Sequence, residues 1–262
     1  MTTDLIPLVL AVLSGGIVAL LLTLFGGGGS VLAVPLLLYV VGVKSPHVAI
    51  GVSAAGVSLN ALTALAGHAR AGRVRWPCAV LFAVTGATGA WVGSSLAKMI
   101  DGQQLLLVFA VAMAAVGLSM LRPKTEVVRP EPRLTWALSP RIGLTGVGVG
   151  SAAGFFGIGG GFLIVPGLMA STGMSLAAAQ ATSLLSVAAF GATTAGNYAL
   201  SGWLDPTLVA AMAVGGVAGT AVGLPLAKRL GANAALGRLL FAGLILVVAV
   251  YVAIRAVAAL QA

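Results

Sequence analysis

With 262 residues, 60% of them hydrophobic and only 7% charged, and a mean hydropathy of +1.12, the chain cannot be the core and surface of a water-soluble domain, which carries about 25% charged residues. A net charge of +9 and a pI near 10.9 raise nucleic acid as a partner, but the basic residues stand in short loops between apolar runs, where they act as topology signals, so none is expected. The single cysteine, Cys78, excludes an internal disulfide and a cysteine metal cluster, and no metal or cofactor is expected.

Apolar runs follow one another at 5–25, 31–43, 47–67, 77–97 and 105–121, then at 142–156, 162–174, 176–200, 207–227 and 236–254. They predict an all-α polytopic membrane protein. Asp4 precedes the first run and no basic stretch opens it, so no cleavable leader is expected and 5–25 stays in the protein. The one credible boundary is 122–141, which holds five of the fourteen Lys and Arg and four of the eleven prolines and reads as a solvated cytoplasmic linker. It divides an N-terminal membrane repeat, 1–121, from a C-terminal one, 142–262.

The two repeats are related in sequence by a shift of about 130 residues, with single-residue indels. The shift pairs Gly42 with Gly173, Ser53 with Ser183, Thr63 with Thr193, Gly72 with Gly202, Gly89 with Gly219 and Lys98 with Lys228. Five segments per repeat is an odd number, so the second repeat is expected to be inverted relative to the first. Loop charge agrees. With inverted halves Arg70, Arg73, Arg75, the five linker cations, Lys228, Arg229 and Arg238 share the cytoplasmic face, eleven of the fourteen Lys and Arg, as the positive-inside rule asks.

One motif occurs in both repeats: Phe25-Gly26-Gly27-Gly28-Gly29-Ser30 and Phe156-Gly157-Ile158-Gly159-Gly160-Gly161, each with a proline, Pro35 or Pro166, ten residues after the phenylalanine. Such glycine runs cost a helix roughly 1 kcal/mol per residue against alanine, so each predicts a broken helical hairpin. In lipid, freed N–H and C=O groups are tolerated only where they face protein, water or a ligand. The flanking arms of 13 to 15 residues reach roughly 20–22 Å, short of a bilayer core of about 30 Å, which predicts breaks near mid-membrane. Backbone N–H groups of Gly28, Gly29 and Ser30, and of Gly160, Gly161 and Phe162, would then open helices and hold an oxyanion without a fixed cation. Close helix packing is the alternative use of glycine. It accounts for Gly86, Gly89 and Gly93 and for Gly216, Gly219 and Gly223 better than for a run of four.

The segment after each hairpin carries polar residues three and four apart, hence on one face. In the first repeat they are Ser53, Asn60 and Thr63; in the second, Ser183, Ser186, Thr193 and Asn197. They are candidates to complete the anion's hydrogen-bond shell, Asn60 and Asn197 foremost, or else to bond neighbouring helices. Gln180 and Thr182 lie off that face and rank lower. No Asp, Glu, Lys or Arg stands in the middle of a segment, so no membrane carboxylate relays protons. His68, matched by Tyr198, is the titratable candidate at a segment end.

The doubled glycine motif with its proline, and Ala181-Thr182-Ser183 after the second copy, resemble the sulfite exporter TauE/SafE family over nearly the whole chain. The resemblance implies a secondary transporter in the bacterial inner membrane that moves sulfite, organosulfonates such as sulfoacetate, or related small organic anions. The expected partners are a small anionic substrate and membrane lipids, with a homodimer allowed. A passive anion channel would use the same site. An enzyme is not expected: Ser30 at a helix start is ordinarily a cap, and the chain lacks the Gly-x-Ser-Gly and Gly-x-Gly-Asp elements of intramembrane hydrolases.

Overall fold

The computed structural model describes residues 5–121, 139–157, 161–230 and 234–261. Gly160 and most of the linker lie outside them. The regular structure among the described residues is entirely helical. The first repeat comprises α1 (Leu5–Phe25), a first arm, α3 (Pro46–Arg70), α4 (Trp76–Ala97) and α5 (Gly102–Leu121). The arm itself is a 3-10 helix (Gly26–Leu32), one turn of α-helix, α2 (Ala33–Leu36), and a π turn (Leu37–Val41). The second repeat comprises α6 (Ser139–Phe156), α7 (Gly161–Thr172), α8 (Leu176–Ala199), α9 (Pro206–Leu230) and α10 (Ala234–Gln261). Among the described residues six helices, α1, α3, α4, α5, α8 and α9, are long and apolar enough to cross a membrane. Large apolar side chains such as Ile6, Val84, Val111, Val214 and Val247 stay more than half exposed on the outer helices, a surface suited to lipid and not to water. This is an all-α, multi-pass membrane protein.

Equivalent sequence positions build equivalent local structure. Ser45 and Ser175 cap α3 and α8, each hydroxyl accepting the N–H three residues on, from Val48 and Ala178, at 3.4 Å, as N-cap serines do. Both helices end alike, with Arg73 N–H donating to the His68 carbonyl and Trp203 N–H to that of Tyr198. Among the described residues six glycines have positive φ, and they fall into three equivalent pairs: Gly26 and Gly157, Gly42 and Gly173, Gly72 and Gly202. Each pair marks a chain reversal that a side chain would oppose.

Tertiary packing exchanges partners between the repeats. α1 lies along α9, with Gly15 on Met212 and Gly16 on Gly215, and α6 lies along α4, with Gly150 on Gly86 and Gly154 on Ala90. In both grooves a Cβ on the glycine would run into the opposing backbone, so the glycines permit the close van der Waals contact that holds membrane helices together. The glycine-packing alternative is therefore what Gly86, Gly89, Gly93, Gly216, Gly219 and Gly223 carry out.

α3 and α8 cross at the centre. Ser58 Oγ donates to the Ala188 carbonyl at 2.7 Å, and Gly191 abuts Ala54 and Ser58. Positions rise along α3 as they fall along α8, so these two equivalent helices run antiparallel. α5 and α10 pack together at the periphery.

Candidate functional site

Each glycine turn rests on the central helix of the other repeat. Gly26 has φ +64, and a Cβ there would meet Gln180 of α8 at 2.8 Å from its Cα and 2.9 Å from its carbonyl oxygen. Gly157 has φ +67, and its Cβ would strike the Ile50 side chain of α3. Gln180 and Ile50 are themselves equivalent under the repeat shift. Each lies eight residues before the crossing pair Ser58 and Ala188, about 12 Å at 1.5 Å per residue. Because α3 and α8 are antiparallel, the two turns stand on opposite sides of the crossing, roughly 24 Å apart along the helix axes. They do not meet at one depth in the middle, as the short arms had suggested, because each turn continues past the centre before it reverses.

The turns also differ from each other. Beyond Gly26 the chain winds as a 3-10 helix capped by Phe25. Its i→i+3 bonding commits the N–H groups from Gly28 onward, and the last turn of α1 takes that of Gly26, so of this run only Gly27 lies outside both helical ladders. A Cβ on Gly29 would run into the backbone of Leu21 and Leu22 in α1, so this glycine closes the hairpin. Ser30 is fully buried and has a partner. In the second repeat α7 is α-helical from Gly161 among the described residues, which places Gly161 and Phe162 in a first turn whose N–H groups have no partner within the helix, with the positive end of a dipole behind them.

The polar residues of α3 and α8 divide in two. Some bond helix to helix. Asn60 Nδ2 donates to the Gly15 carbonyl at 3.3 Å, and its carboxamide fills the space that a side chain at Gly216 would need. Thr63 bonds the Asn60 carbonyl at 2.7 Å and the Thr220 hydroxyl at 3.1 Å. Asn197 Nδ2 donates to Ser94 Oγ at 2.7 Å and Ser95 Oγ at 2.9 Å, and Lys98 Nζ donates to Asn197 Oδ1 at 2.7 Å. Lys98 reaches Ser201 Oγ as well, at 2.9 Å, so this cluster fastens the ends of α4 and α8. Thr193 turns back to the Ala189 carbonyl at 2.9 Å and Ser183 to that of Gln180 at 2.8 Å.

Others are buried with nothing to bond. The hydroxyls of Ser53, Ser186 and Thr194 lie on residues of 0% exposure, and none has a hydrogen-bond partner. Asn60 Oδ1 and the Tyr198 hydroxyl share that condition. Native interiors rarely leave such groups unpaired, since each costs about 1–3 kcal/mol, which singles these positions out as candidates for contact with water or a ligand. Ser53 is one helical turn from Ile50, on which the second glycine turn rests; Ser183 stands in the same relation to Gln180 and the first. His68 is 7% exposed, with Nδ1 unpartnered, beside the Thr23 backbone.

Periodicity had ranked Gln180 below the stripe residues, yet it is the seat of Gly26. Its signal was the repeat, since it occupies the place of Ile50. The two carboxylates among the described residues, Asp101 and Asp205, both cap helices, accepting from Gln103 N–H at 2.9 Å and Thr207 N–H at 2.8 Å.

A family model described as Sulfite exporter TauE/SafE matches residues 11–252. The chain is 46% identical over 256 residues to a probable membrane transporter protein of Xylella fastidiosa (strain Temecula1 / ATCC 700964), covering 97% of this chain and 98% of that one. It is 26% identical over 204 residues to the probable membrane transporter protein YdhB of Bacillus subtilis (strain 168), covering 76% and 80%. No solved structure matches it. A match from Ala11 to Val252 takes in both glycine turns and both central helices, and on that ground the chain belongs to the sulfite exporter TauE/SafE family of membrane transporters.

Proposed function

We propose that this transporter is a secondary carrier of a small sulfur-containing or organic anion, sulfite or an organosulfonate, across the bacterial inner membrane. Its two repeats, 1–121 and 142–262, would be inverted about an axis in the membrane plane, with both termini outside. Supporting the inversion is the antiparallel crossing of the equivalent helices α3 and α8. A cysteine at Leu204 is expected to react with an impermeant maleimide in intact cells, and one at Arg73 only after permeabilisation, both in a chain with Cys78 replaced. Reaction of both from one side would mean parallel repeats.

In this reading the anion occupies two equivalent seats in turn, one beneath each glycine turn. The first combines Gly27, Gln180 and Ser183; the second combines Gly161, Phe162 and Ser53. The observation that carries it is the buried, unpartnered Ser53 hydroxyl one helical turn from the Gly157 seat. Neutral donors and a helix start hold an anion without trapping it, at about 1.5–3 kcal/mol for each hydrogen bond to the charge. Both turns come from one chain, so the reading needs no second copy. The acidic residues, Asp4, Asp101, Glu126, Glu131 and Asp205, stand outside the apolar runs, so any proton carried travels on the anion or through His68.

Ser53→Ala separates a ligand role from a structural one. Removing a hydroxyl that bonds nothing should leave thermal stability unchanged or higher, whereas the loss of a bond to an anion should weaken uptake of sulfite or sulfoacetate about tenfold. Uptake equal to wild type would remove Ser53 from the site. Counterflow in proteoliposomes distinguishes the carrier from a passive channel, because only a carrier accumulates labelled anion against unlabelled anion inside.

A further inference from the structure

At one end of the molecule the first arm, the start of α5 and the end of α10 enclose a cleft of about 370 Å³ whose lining includes no residue of either glycine turn. Two cations line it, Lys44 and Arg255, together with the Gln103 amide and the Tyr39 ring, above an apolar floor that includes Leu38 and Leu106. Arg255 is held in place, its guanidinium carbon 5.3 Å from the centre of the Tyr39 ring, and Tyr251 meets Tyr39 edge-on at 5.1 Å. Among the described residues no carboxylate side chain lines the cleft. The nearest in sequence, Asp101, is occupied by the Gln103 N–H.

The sequence that lines the cleft differs between the repeats. Ala170 stands in the place of Tyr39, and the loop from Gly42 to Ser45 is one residue longer than that from Gly173 to Ser175. The arm approaches through the π turn Leu37–Val41, where its counterpart α7 stays α-helical. Such departures from regular helix are frequent at functional sites. A volume of this order suits a small ligand or a headgroup, and its lining asks for an oxyanion attached to an apolar tail.

We propose that this cleft is a second anion site, filled by a phosphate- or sulfonate-headed amphiphile whose charge lies between Lys44 and Arg255 and whose tail runs over Leu38 and Leu106. Its occupant would tie the first arm to the α5–α10 pair. The same headgroup chemistry could come from an anionic phospholipid or from a dissolved amphiphile. The site is independent of how the glycine turns bind substrate, because it is read by binding alone.

The test uses the full chain in nanodiscs. In discs of mixed phosphatidylcholine and phosphatidylglycerol, native mass spectrometry counts the phosphatidylglycerol retained; in phosphatidylcholine discs, titration with hexyl phosphate reads the dissolved source. Lys44→Gln and Arg255→Gln should each weaken retention about fivefold, the effect of one cation near a membrane surface. Arg255→Lys should fall in between, and Arg70→Gln, the same charge change at the other end of α3, should do nothing. Binding of hexyl phosphate with this pattern, and no preference for phosphatidylglycerol, would support the site and name a dissolved ligand. Retention and titration both indifferent to Lys44→Gln, a substitution in an exposed loop that the fold tolerates, would overturn it.

Discussion

Gly26→Ala is expected to abolish transport and to destabilise the protein by about 2–5 kcal/mol, because two costs coincide. A φ of +64 costs an L-residue about 1–2 kcal/mol, and overpacking adds about 1–3 kcal/mol. The obstacle is the Gln180 backbone, in the first turns of a capped helix, which cannot rotate away. Gly157→Ala pays the same backbone cost, but the nearest atoms its Cβ meets belong to the Ile50 side chain. Ile50→Ala should therefore recover part of the stability of Gly157→Ala, while Gln180→Ala should recover nothing for Gly26→Ala. Thermal unfolding in detergent, read beside sulfite uptake, checks this. A Gly26→Ala protein as stable and active as wild type would mean that the first turn is not seated on α8.

Asn197→Leu should cost about 1–3 kcal/mol, a range set below that of a fully buried ion contact because Lys98 is only half-buried. The substitution removes the acceptor for the Lys98 ammonium and the donor for Ser94 and Ser95. Adding Lys98→Met should restore part of the loss, since it removes an ammonium that has lost its shortest acceptor and keeps only the backbone carbonyl of residue 197 and Ser201 Oγ. Strict additivity of the two changes in a double-mutant cycle would show that the contact carries no energy. Should uptake fall in both single variants, in proportion to stability, Asn197 acts by fastening α4 to α8 and not by touching the anion.

Local and periodic features were legible in the sequence. Glycine runs, serine caps and apolar runs each act within a few residues of chain, so the helix sequence, the duplication and the places of both broken hairpins could be read off a string of letters. Even the three pairs of positive-φ glycines follow from the repeat shift.

What touches what was decided by the tertiary structure alone. A helical stripe says that Ser53, Asn60 and Thr63 share a face, but not that Asn60 bonds a carbonyl of α1 while the Ser53 hydroxyl has no hydrogen-bond partner. The missing Cβ of Gly26 says that something approaches closely; only the fold says that it is Gln180. Arm length suggested two turns at one depth. The antiparallel crossing of α3 and α8 sets them at opposite ends of it, because each turn packs against the central helix of the other repeat and those two helices run in opposite directions. A residue's face belongs to its own helix, and its neighbour is chosen by the remainder of the chain.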